Sequence, residues 1–187
     1  MTGSAPAAGP LGRSYWVEEG ALLAGAYPGD VREPAARAKL RGILAAGVRT
    51  FSSLMQAQEV DHAGRVFAPY ESLVHAEARS LGITQDVRCL RFPIIDISVP
   101  RPEQMDQTLD QIDGSIAAGA PVYVHCWGGR GRTGTVVGCW LIRRGLATPE
   151  NFVERIQGLR RHDESGGPSP ENSTQLEFVR TWAASRL

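Results

Sequence analysis

The stretch VYVHCWGGRGRTGT, residues 122–135, constrains the fold more than any other part of the chain. It begins with an alternating, β-branched run that predicts a buried strand, and residues 136–144 after it predict a helix. The glycines between them predict a tight turn whose backbone N–H groups point at one spot. Unpaired amides at the start of a helix favour negative charge, so the turn is predicted to bind an anion.

Two reactive side chains, Cys126 and Arg132, flank this turn. A helix N-terminus and a nearby arginine both favour a thiolate, so we expect Cys126 to be nucleophilic at neutral pH. The planar guanidinium of Arg132 matches two phosphate oxygens, and Thr133 is expected to donate its hydroxyl to the sulfur. The predicted phosphate-binding loop comprises Trp127, Gly128, Gly129, Arg130, Gly131 and Arg132.

Three other interpretations of residues 122–135 fit the sequence less well. A cysteine that ends a core strand is usually a packing residue, but the flanking histidine, the glycines and Arg132 supply the electropositive setting that reactivity needs. The glycines also match a dinucleotide-binding fingerprint, yet only 53 residues follow Gly134, too few for the rest of such a domain. A Walker loop is excluded because Arg132 stands where lysine is required.

The series His-Cys-x5-Arg-Thr-Gly at residues 125–134 resembles the signature loop of the cysteine-dependent protein tyrosine phosphatases, in its dual-specificity form. The resemblance implies a two-step reaction in which the thiolate takes the phosphoryl group and water then hydrolyses the phosphocysteine. It also implies that His125 supports the thiolate through hydrogen bonds. Two residues depart from the family pattern: Gly128, where alanine is frequent, and the bulky Trp127.

Asp96 is the candidate general acid. A carboxylic acid within hydrogen-bond reach can protonate the leaving oxygen of a phosphate ester. Asp96 lies in the segment FPIIDISVP, residues 92–100, thirty residues before Cys126, and the prolines suit an ordered loop. The segment resembles the general-acid loop of kinase-associated phosphatase-like enzymes. The alternative is an aspartate that only caps a turn.

Gln175 is a further candidate. Residues 169–179 are similar to a family element whose glutamine is implied to position water or substrate near the site. Asn172 and Ser173 replace the threonine and proline of that element, and Asn172 suits a helix N-cap. The alternative is a surface glutamine in the first turn of the last helix.

The chain as a whole predicts an α/β protein. We expect a disordered, Ala/Gly/Pro-rich lead over 1–12, with neither signal-peptide nor anchor features, and one phosphatase domain over 13–187. Strands are predicted at 15–17, 21–24, 48–54 and 87–92, helices at 32–46, 69–81, 103–118 and 148–161, a flexible connection at 162–170, and a last helix from Asn172. This alternation predicts three layers with a central, mostly parallel sheet, as in the phosphatase fold.

Composition excludes several functions. Twenty basic and twenty acidic residues cancel, which gives no support for nucleic acid or an anionic membrane as a bulk partner. No apolar run approaches the ~18 residues of a transmembrane segment. Cys89, Cys126 and Cys139 have neither disulfide nor zinc spacing, so we expect a reduced, cytoplasmic protein with no metal and no cofactor.

The expected substrate is protein phosphotyrosine, with possible activity on phosphoserine and phosphothreonine. A phosphoinositide or inositol phosphate is the alternative, because Arg130 stands where tensin-related phosphoinositide phosphatases place a lysine. Trp127 occupies the position of their second lysine. A phosphate-binding pseudophosphatase is an alternative of another class, although Cys126, Arg132 and Asp96 are all retained.

Overall fold

The computed structural model of the protein describes residues 8–186. Its strands are β1 Ser14–Glu18, β2 Leu22–Gly25, β3 Thr50–Ser53, β4 Arg88–Arg91 and β5 Val122–His125. Its helices are α1 Glu33–Ala45, α2 Glu71–Ser80, α3 Pro102–Ala117, α4 Gly131–Arg143, α5 Phe152–Leu159 and α6 Ser173–Ala184. Across this described range, none of the helices combines the length and the apolar character needed to span a bilayer.

The strands form one sheet in the order β1-β2-β5-β3-β4. Only β1 and β2 pair antiparallel, and the other three pairings are parallel. The prediction of a three-layer α/β fold with a mostly parallel sheet is therefore confirmed. His125, the last residue of the central strand, lies between Gly25 and Ser53 of its two neighbours. The residue after it, Cys126, thus emerges at the carboxyl edge of three parallel strands, where α/β proteins place their sites.

Apolar side chains on the two faces of the sheet form two clusters. One cluster joins the sheet to α3, α4, α5 and α6, and the other joins it to α1 and α2. In the first, Trp140 of α4 is fully buried and donates its indole N–H to Asp113 of α3 at 3.0 Å. Burial of a side chain of this size contributes roughly 3 kcal/mol and fixes α4 against the sheet.

Two helices begin four or more residues later or earlier than predicted, and the other helix boundaries agree within two residues. Helix α4 begins at Gly131 and not at 136, so Arg132 and Thr133 belong to its first turn. Helix α5 begins at Phe152 and not at 148, because Thr148 starts a separate turn in which its N–H donates to the Asn151 side chain at 2.8 Å.

The N-terminal segment and the connection before α6 both contact the domain. Of the lead predicted over 1–12, residues 1–7 lie outside the described residues, whereas Ala8 forms a β-bridge with Tyr15. The Gly12 carbonyl accepts a hydrogen bond from the Glu164 N–H at 2.6 Å. The connection over 162–170 was predicted to be flexible, but an ion pair between Arg160 and Asp163 holds it, with both side chains at most 3% exposed.

Candidate active site

Cys126 and Arg132 lie at the two ends of the loop that joins β5 to α4. Cys126 is 3% exposed and Arg132 is 1% exposed. Cys126 directly follows strand β5, and Arg132 lies in the first turn of helix α4. Two rigid elements therefore position the thiol and the guanidinium. The structure therefore brings together the two residues that the sequence predicted at the centre of the site.

Groups outside the loop hold its carbonyls. The Trp127 carbonyl accepts from the Tyr27 N–H at 3.0 Å, the Gly128 carbonyl from Arg13 Nη2 at 3.0 Å, and the Arg130 carbonyl from the Ser169 hydroxyl at 2.8 Å. Within residues 8–186, no protein group accepts from the N–H groups of 127–130. The loop thus has unpaired amide donors at a helix N-terminus, which is an anion-binding arrangement.

The loop geometry depends on glycine at position 129. Gly129 has φ of 75°, and a Cβ there would lie 2.6 Å from the Gly25 carbonyl carbon of β2. Any other residue would be strained by its backbone and would clash with the neighbouring strand. Gly128, where related enzymes often carry alanine, is different, because a Cβ there would meet no atom closer than 3.8 Å.

Arg132 is held by two carboxylates. Glu59 accepts from both terminal nitrogens, at 2.6 and 2.7 Å, and Asp96 Oδ1 lies 2.8 Å from Nη2. Burial, the largest single influence, lowers the pKa of Arg132, but the hydrogen bonds that Arg132 donates to Glu59 and the neighbouring negative charges outweigh it, so the pKa is raised. Nε is buried and has no partner in the described part of the chain, which leaves one aligned donor for a bound anion.

The candidate acid, Asp96, lies in a strained segment that α6 holds in place. The next residue, Ile97, has φ of 63°, an uncommon conformation for a β-branched side chain. The Asn172 side chain donates to the Ile97 carbonyl at 2.9 Å, and the Gln175 side chain donates to the Ser98 carbonyl at 3.3 Å. These bonds fix the backbone on the C-terminal side of Asp96, whose carboxylate contacts Arg132.

Gln175 is fully buried, so the alternative of a surface glutamine is wrong. Its side-chain oxygen accepts from the Glu171 N–H at 3.1 Å, and its nitrogen bonds to the acid segment. Asn172 caps α6 as predicted, accepting from the Gln175 N–H at 2.9 Å. The Gln175 amide therefore links α6 to the segment that carries Asp96.

His125 is buried behind the loop and is neutral. Its Nδ1 lies 3.3 Å from the Cys126 carbonyl, which only accepts, so Nδ1 carries the proton and Nε2 accepts from the Tyr70 hydroxyl at 2.6 Å. Burial lowers the pKa of His125 to about 3, and burial also raises the pKa of Tyr70, which therefore keeps its proton. The ring thus contacts the Cys126 backbone on one side and the Tyr70 hydroxyl on the other.

One predicted loop contact is not formed, and one loop side chain makes contacts that the sequence did not predict. The expected hydrogen bond from Thr133 to sulfur is not formed: the hydroxyl is buried without a partner within residues 8–186. Thr133 belongs to the first turn of α4, and the rigid helix directs its side chain elsewhere. Trp127 packs against His62 and Phe67, with ring centroids 4.4 and 5.3 Å away. It thereby secures the segment that also carries Glu59.

The loop forms the floor of an open cleft of about 420 Å³. Asp96, Ile97, His62 and Trp127 line its walls. Three further charged side chains also line it: Arg13, Arg130 and Glu171. Arg130 and Glu171 form an ion pair at 3.3 Å. The cleft is wide enough to admit a phosphorylated side chain or a small phosphorylated ring.

Sequence reasoning missed Glu59, Tyr70, Arg13 and Ser169. Glu59 lies in a polar connection that resembles any solvated loop, and its partner Arg132 is 73 positions away. No local pattern marks such a residue, because only the tertiary fold brings it to the guanidinium. The aromatic and hydrophobic residues around Tyr70 indicated a helix and gave no sign of a histidine partner.

Comparison with known proteins agrees with this geometry. The family model described as "Swiss Army Knife protein, DSP-PTPase phosphatase domain" matches residues 12–165. The chain belongs to this family. This family lies within the dual-specificity and protein tyrosine phosphatase superfamily.

Relatives of known sequence match part of this dual-specificity phosphatase. An uncharacterised protein of Methanocaldococcus jannaschii is 41% identical over 98 residues, which are 52% of this chain and 61% of that protein. The phosphatidylglycerophosphate phosphatase PTPMT1 of Arabidopsis thaliana is 34% identical over 61 residues, 33% of this chain and 18% of that protein. The chain thus spans less than two thirds of the length of these relatives.

Solved structures share the fold. Tk-PTP in its active form has 23% identity and a TM-score of 0.65, covering 94% of this chain and 98% of its own. PTPMT1 in complex with PI(5)P has 22% identity and a TM-score of 0.65, covering 92% and 95%. Kinase-associated phosphatase has 14% identity and a TM-score of 0.65, covering 94% and 96%.

Proposed function

We propose that this phosphatase hydrolyses phosphate monoesters through a phosphocysteine on Cys126. The observation that carries the proposal is the burial of Cys126 and Arg132 at the two ends of a loop whose amides at 127–130 have no acceptor in the described part of the protein. The thiolate attacks phosphorus and the ester P–O bond breaks, while Asp96 gives its proton to the leaving oxygen. Water then attacks phosphorus, the P–S bond breaks, and Asp96 takes up the proton of the water.

Arg132 and the loop amides stabilise the charge that develops on the transferring phosphoryl group. Glu59 fixes the guanidinium from behind, so that Nε remains available to a phosphate oxygen. Gln175 serves the second, hydrolytic step by fixing the position of the Asp96 segment relative to the phosphate-binding loop. Its hydrogen bond to the Ser98 carbonyl supports this role. The three free cysteines are consistent with a reducing, cytoplasmic setting.

The proposed substrate is a protein phosphotyrosine, with phosphoserine and phosphothreonine as further substrates. The aromatic side chains of Trp127 and His62 in the cleft wall support this choice, because they offer a face to an aryl ring. A shallow, open cleft also leaves room for the shorter phosphoserine and phosphothreonine side chains.

A phosphoinositide or another phosphorylated lipid headgroup is the second candidate. Arg13, a cleft arginine that no carboxylate contacts within residues 8–186, favours a more strongly anionic substrate. The names of two relatives point in the same direction, since one is a phosphatidylglycerophosphate phosphatase and another was crystallised with PI(5)P.

The deciding experiment measures phosphate release from phosphotyrosine peptides, phosphothreonine peptides and soluble phosphoinositides. Cys126→Ser is the inactive reference, and Cys139→Ser, a buried thiol in the body of α4, is the matched control with full activity. Release from peptides alone would establish the protein phosphatase, and preference for inositides would establish the second candidate. No release from any substrate would contradict the phosphatase proposal and leave a phosphate-binding pseudophosphatase.

A further inference from the structure

The three arginines of the cleft differ in their carboxylate partners. Arg132 contacts Glu59 and Asp96, and Arg130 contacts Glu171 at 3.3 Å. Arg13 has no carboxylate partner within residues 8–186, and residues 1–7 contain no Asp or Glu. Its one recorded hydrogen bond is from Nη2 to the Gly128 carbonyl at 3.0 Å. Arg13 is therefore the arginine of the cleft that no carboxylate of the described residues contacts, because two of the three carboxylates share Arg132.

These contacts indicate that Arg13, and not Arg130, is the cleft arginine available to a further anion. The sequence singled out Arg130 as the extra cation of the loop, but Glu171 balances its charge and the Gly166 carbonyl accepts a further bond at 3.4 Å. Arg13, which no motif marked, stands at the start of β1 and reaches the loop across the sheet edge. A guanidinium has five N–H donors in a fixed fork, so the single bond to Gly128 leaves most of them available.

We propose that Arg13 binds a second phosphate group of the substrate, next to the phosphate monoester held by Cys126 and Arg132. The inference rests on the proposed phosphatase activity and specifies how the second candidate substrate, a phosphorylated headgroup, would be recognised. Gly128 is two residues from Cys126, so their Cα atoms lie at most about 7.6 Å apart. Because Arg13 Nη2 contacts the Gly128 carbonyl at 3.0 Å and lines the same cleft as Cys126, the pair suits two phosphates carried by one small ring or polyol, either as a lipid headgroup or as a free metabolite.

The test uses two substrates with the same monoester, of which only one also carries a second phosphate, with an uncharged glycerol attached to it. One is glycerophosphoinositol 5-phosphate, which has a monoester and a diester, and the other is myo-inositol 5-phosphate, which has the same monoester alone. The ratio of their kcat/KM values isolates the second phosphate, because damage to the loop through Gly128 would lower both values together. We expect Arg13→Ala to lower this ratio about tenfold, as for loss of a charge-assisted hydrogen bond. Arg13→Lys is expected to recover only part of it.

Arg155→Ala is the matched control, since Arg155 is exposed on α5 and lies outside the cleft. It should leave the ratio at the wild-type value. Vesicles of phosphatidylcholine that contain phosphatidylinositol 5-phosphate form the lipid arm. If Arg13→Ala lowers kcat/KM more on the vesicles than on the soluble diester compound, the subsite is assigned to a lipid headgroup. If it lowers both equally, the subsite recognises the phosphorylated headgroup whether or not it is attached to a lipid.

An unchanged ratio in Arg13→Ala would overturn the proposal, and so would wild-type enzyme that turns over neither inositol compound. An aryl phosphate separates these failures from a failure of the catalytic proposal. If Cys126-dependent release from p-nitrophenyl phosphate persists, only the Arg13 subsite is overturned. If that release is also absent, the phosphatase proposal itself fails.

Discussion

Arg132 shows how a single residue gains its properties from partners distant in sequence. Its guanidinium is withdrawn from water, so its charge needs nearby carboxylates, and Glu59 and Asp96 supply them. The Glu59 side chain is buried and accepts from Arg132 and from the Gln56 N–H, whereas Asp96 is 42% exposed at the cleft. One carboxylate therefore fixes the arginine, and the other remains accessible to a substrate oxygen.

Asp96→Asn removes the proposed proton donor while keeping the size of the side chain. We expect kcat to fall about 10²-fold for an alkyl phosphate, whose leaving group is poor, and much less for p-nitrophenyl phosphate. Steady-state rates with both substrates measure this difference. Asp86→Asn, an exposed aspartate paired with Arg88, is the control. An unchanged rate on the alkyl phosphate would remove Asp96 from the mechanism.

Glu59→Gln tests the support of Arg132. The neutral amide donates through one end and so opposes one guanidinium nitrogen, which should lower kcat/KM about tenfold and lower the melting temperature. Calorimetry and steady-state kinetics check both effects. Glu71→Gln, whose carboxylate pairs with Arg91 away from the loop, should change the kinetics little. Equal kinetics in both variants would contradict a positioning role for Glu59.

Alkylation distinguishes the three thiols. Burial raises the pKa of Cys89 to about 12 and raises that of Cys139 well above its ordinary value, so neither should react in weak acid. Cys126, at the helix N-terminus beside Arg132, should react with iodoacetate at about pH 6 and be protected by vanadate. Mass spectrometry of the labelled peptides measures this. Equal labelling of all three cysteines would exclude an activated nucleophile.

At the scale of elements, the phosphate loop depends on the segment between α5 and α6. Arg160 holds this segment through Asp163, Ser165 and the Gly167 carbonyl, the last at 3.2 Å. Ser169, at its end, is fully buried and donates to the Arg130 carbonyl. A Cβ on Gly134 would lie 2.2 Å from the Ser169 hydroxyl oxygen, so glycine there admits the serine. The connection thus carries a structural support for the loop.

Ser169→Ala should loosen the phosphate loop, because the Arg130 carbonyl keeps the Gly134 N–H but loses its side-chain donor, at a cost of about 0.5–1.5 kcal/mol. We expect a lower melting temperature together with a fall in kcat/KM and weaker vanadate inhibition. Ser165→Ala is the matched control, since its hydroxyl bonds only within the segment. A similar loss of stability with unchanged vanadate inhibition is expected for it. Identical inhibition constants in the two variants would contradict the support role of Ser169.

At the scale of the whole molecule, the sheet and its two helical layers enclose a neutral histidine. His125 lies at the end of the central strand and is completely buried, so its ring is excluded from water in the folded state only. Its pKa is therefore about 3 in the folded protein, against an ordinary value of 6.5. Between these values the unfolded chain binds a proton that the folded protein does not, so acidification lowers stability.

Urea unfolding as a function of pH tests this linkage. Stability should be full above about pH 6.5 and should have fallen by about 2 kcal/mol at about pH 5 through His125 alone. His125→Asn should be less stable at neutral pH, since the Tyr70 contact changes, but its stability should depend less on pH in this range. His75→Gln removes an exposed imidazole and should keep the wild-type profile. The same slope in His125→Asn as in wild type would contradict the assignment.

The sequence by itself determined the three-layer α/β fold, the strand-loop-helix unit around Cys126 and Arg132, and the N-cap at Asn172. These features depend on periodicity, glycine placement and residue chemistry within a few neighbours, which a sequence displays directly. The tertiary structure alone decided the pairing of Arg132 with Glu59, the neutral state of His125, the burial of Gln175 and the exposed charge of Arg13. Each of these depends on which distant residues meet and on how much water is excluded between them, and neither quantity is encoded in any local pattern.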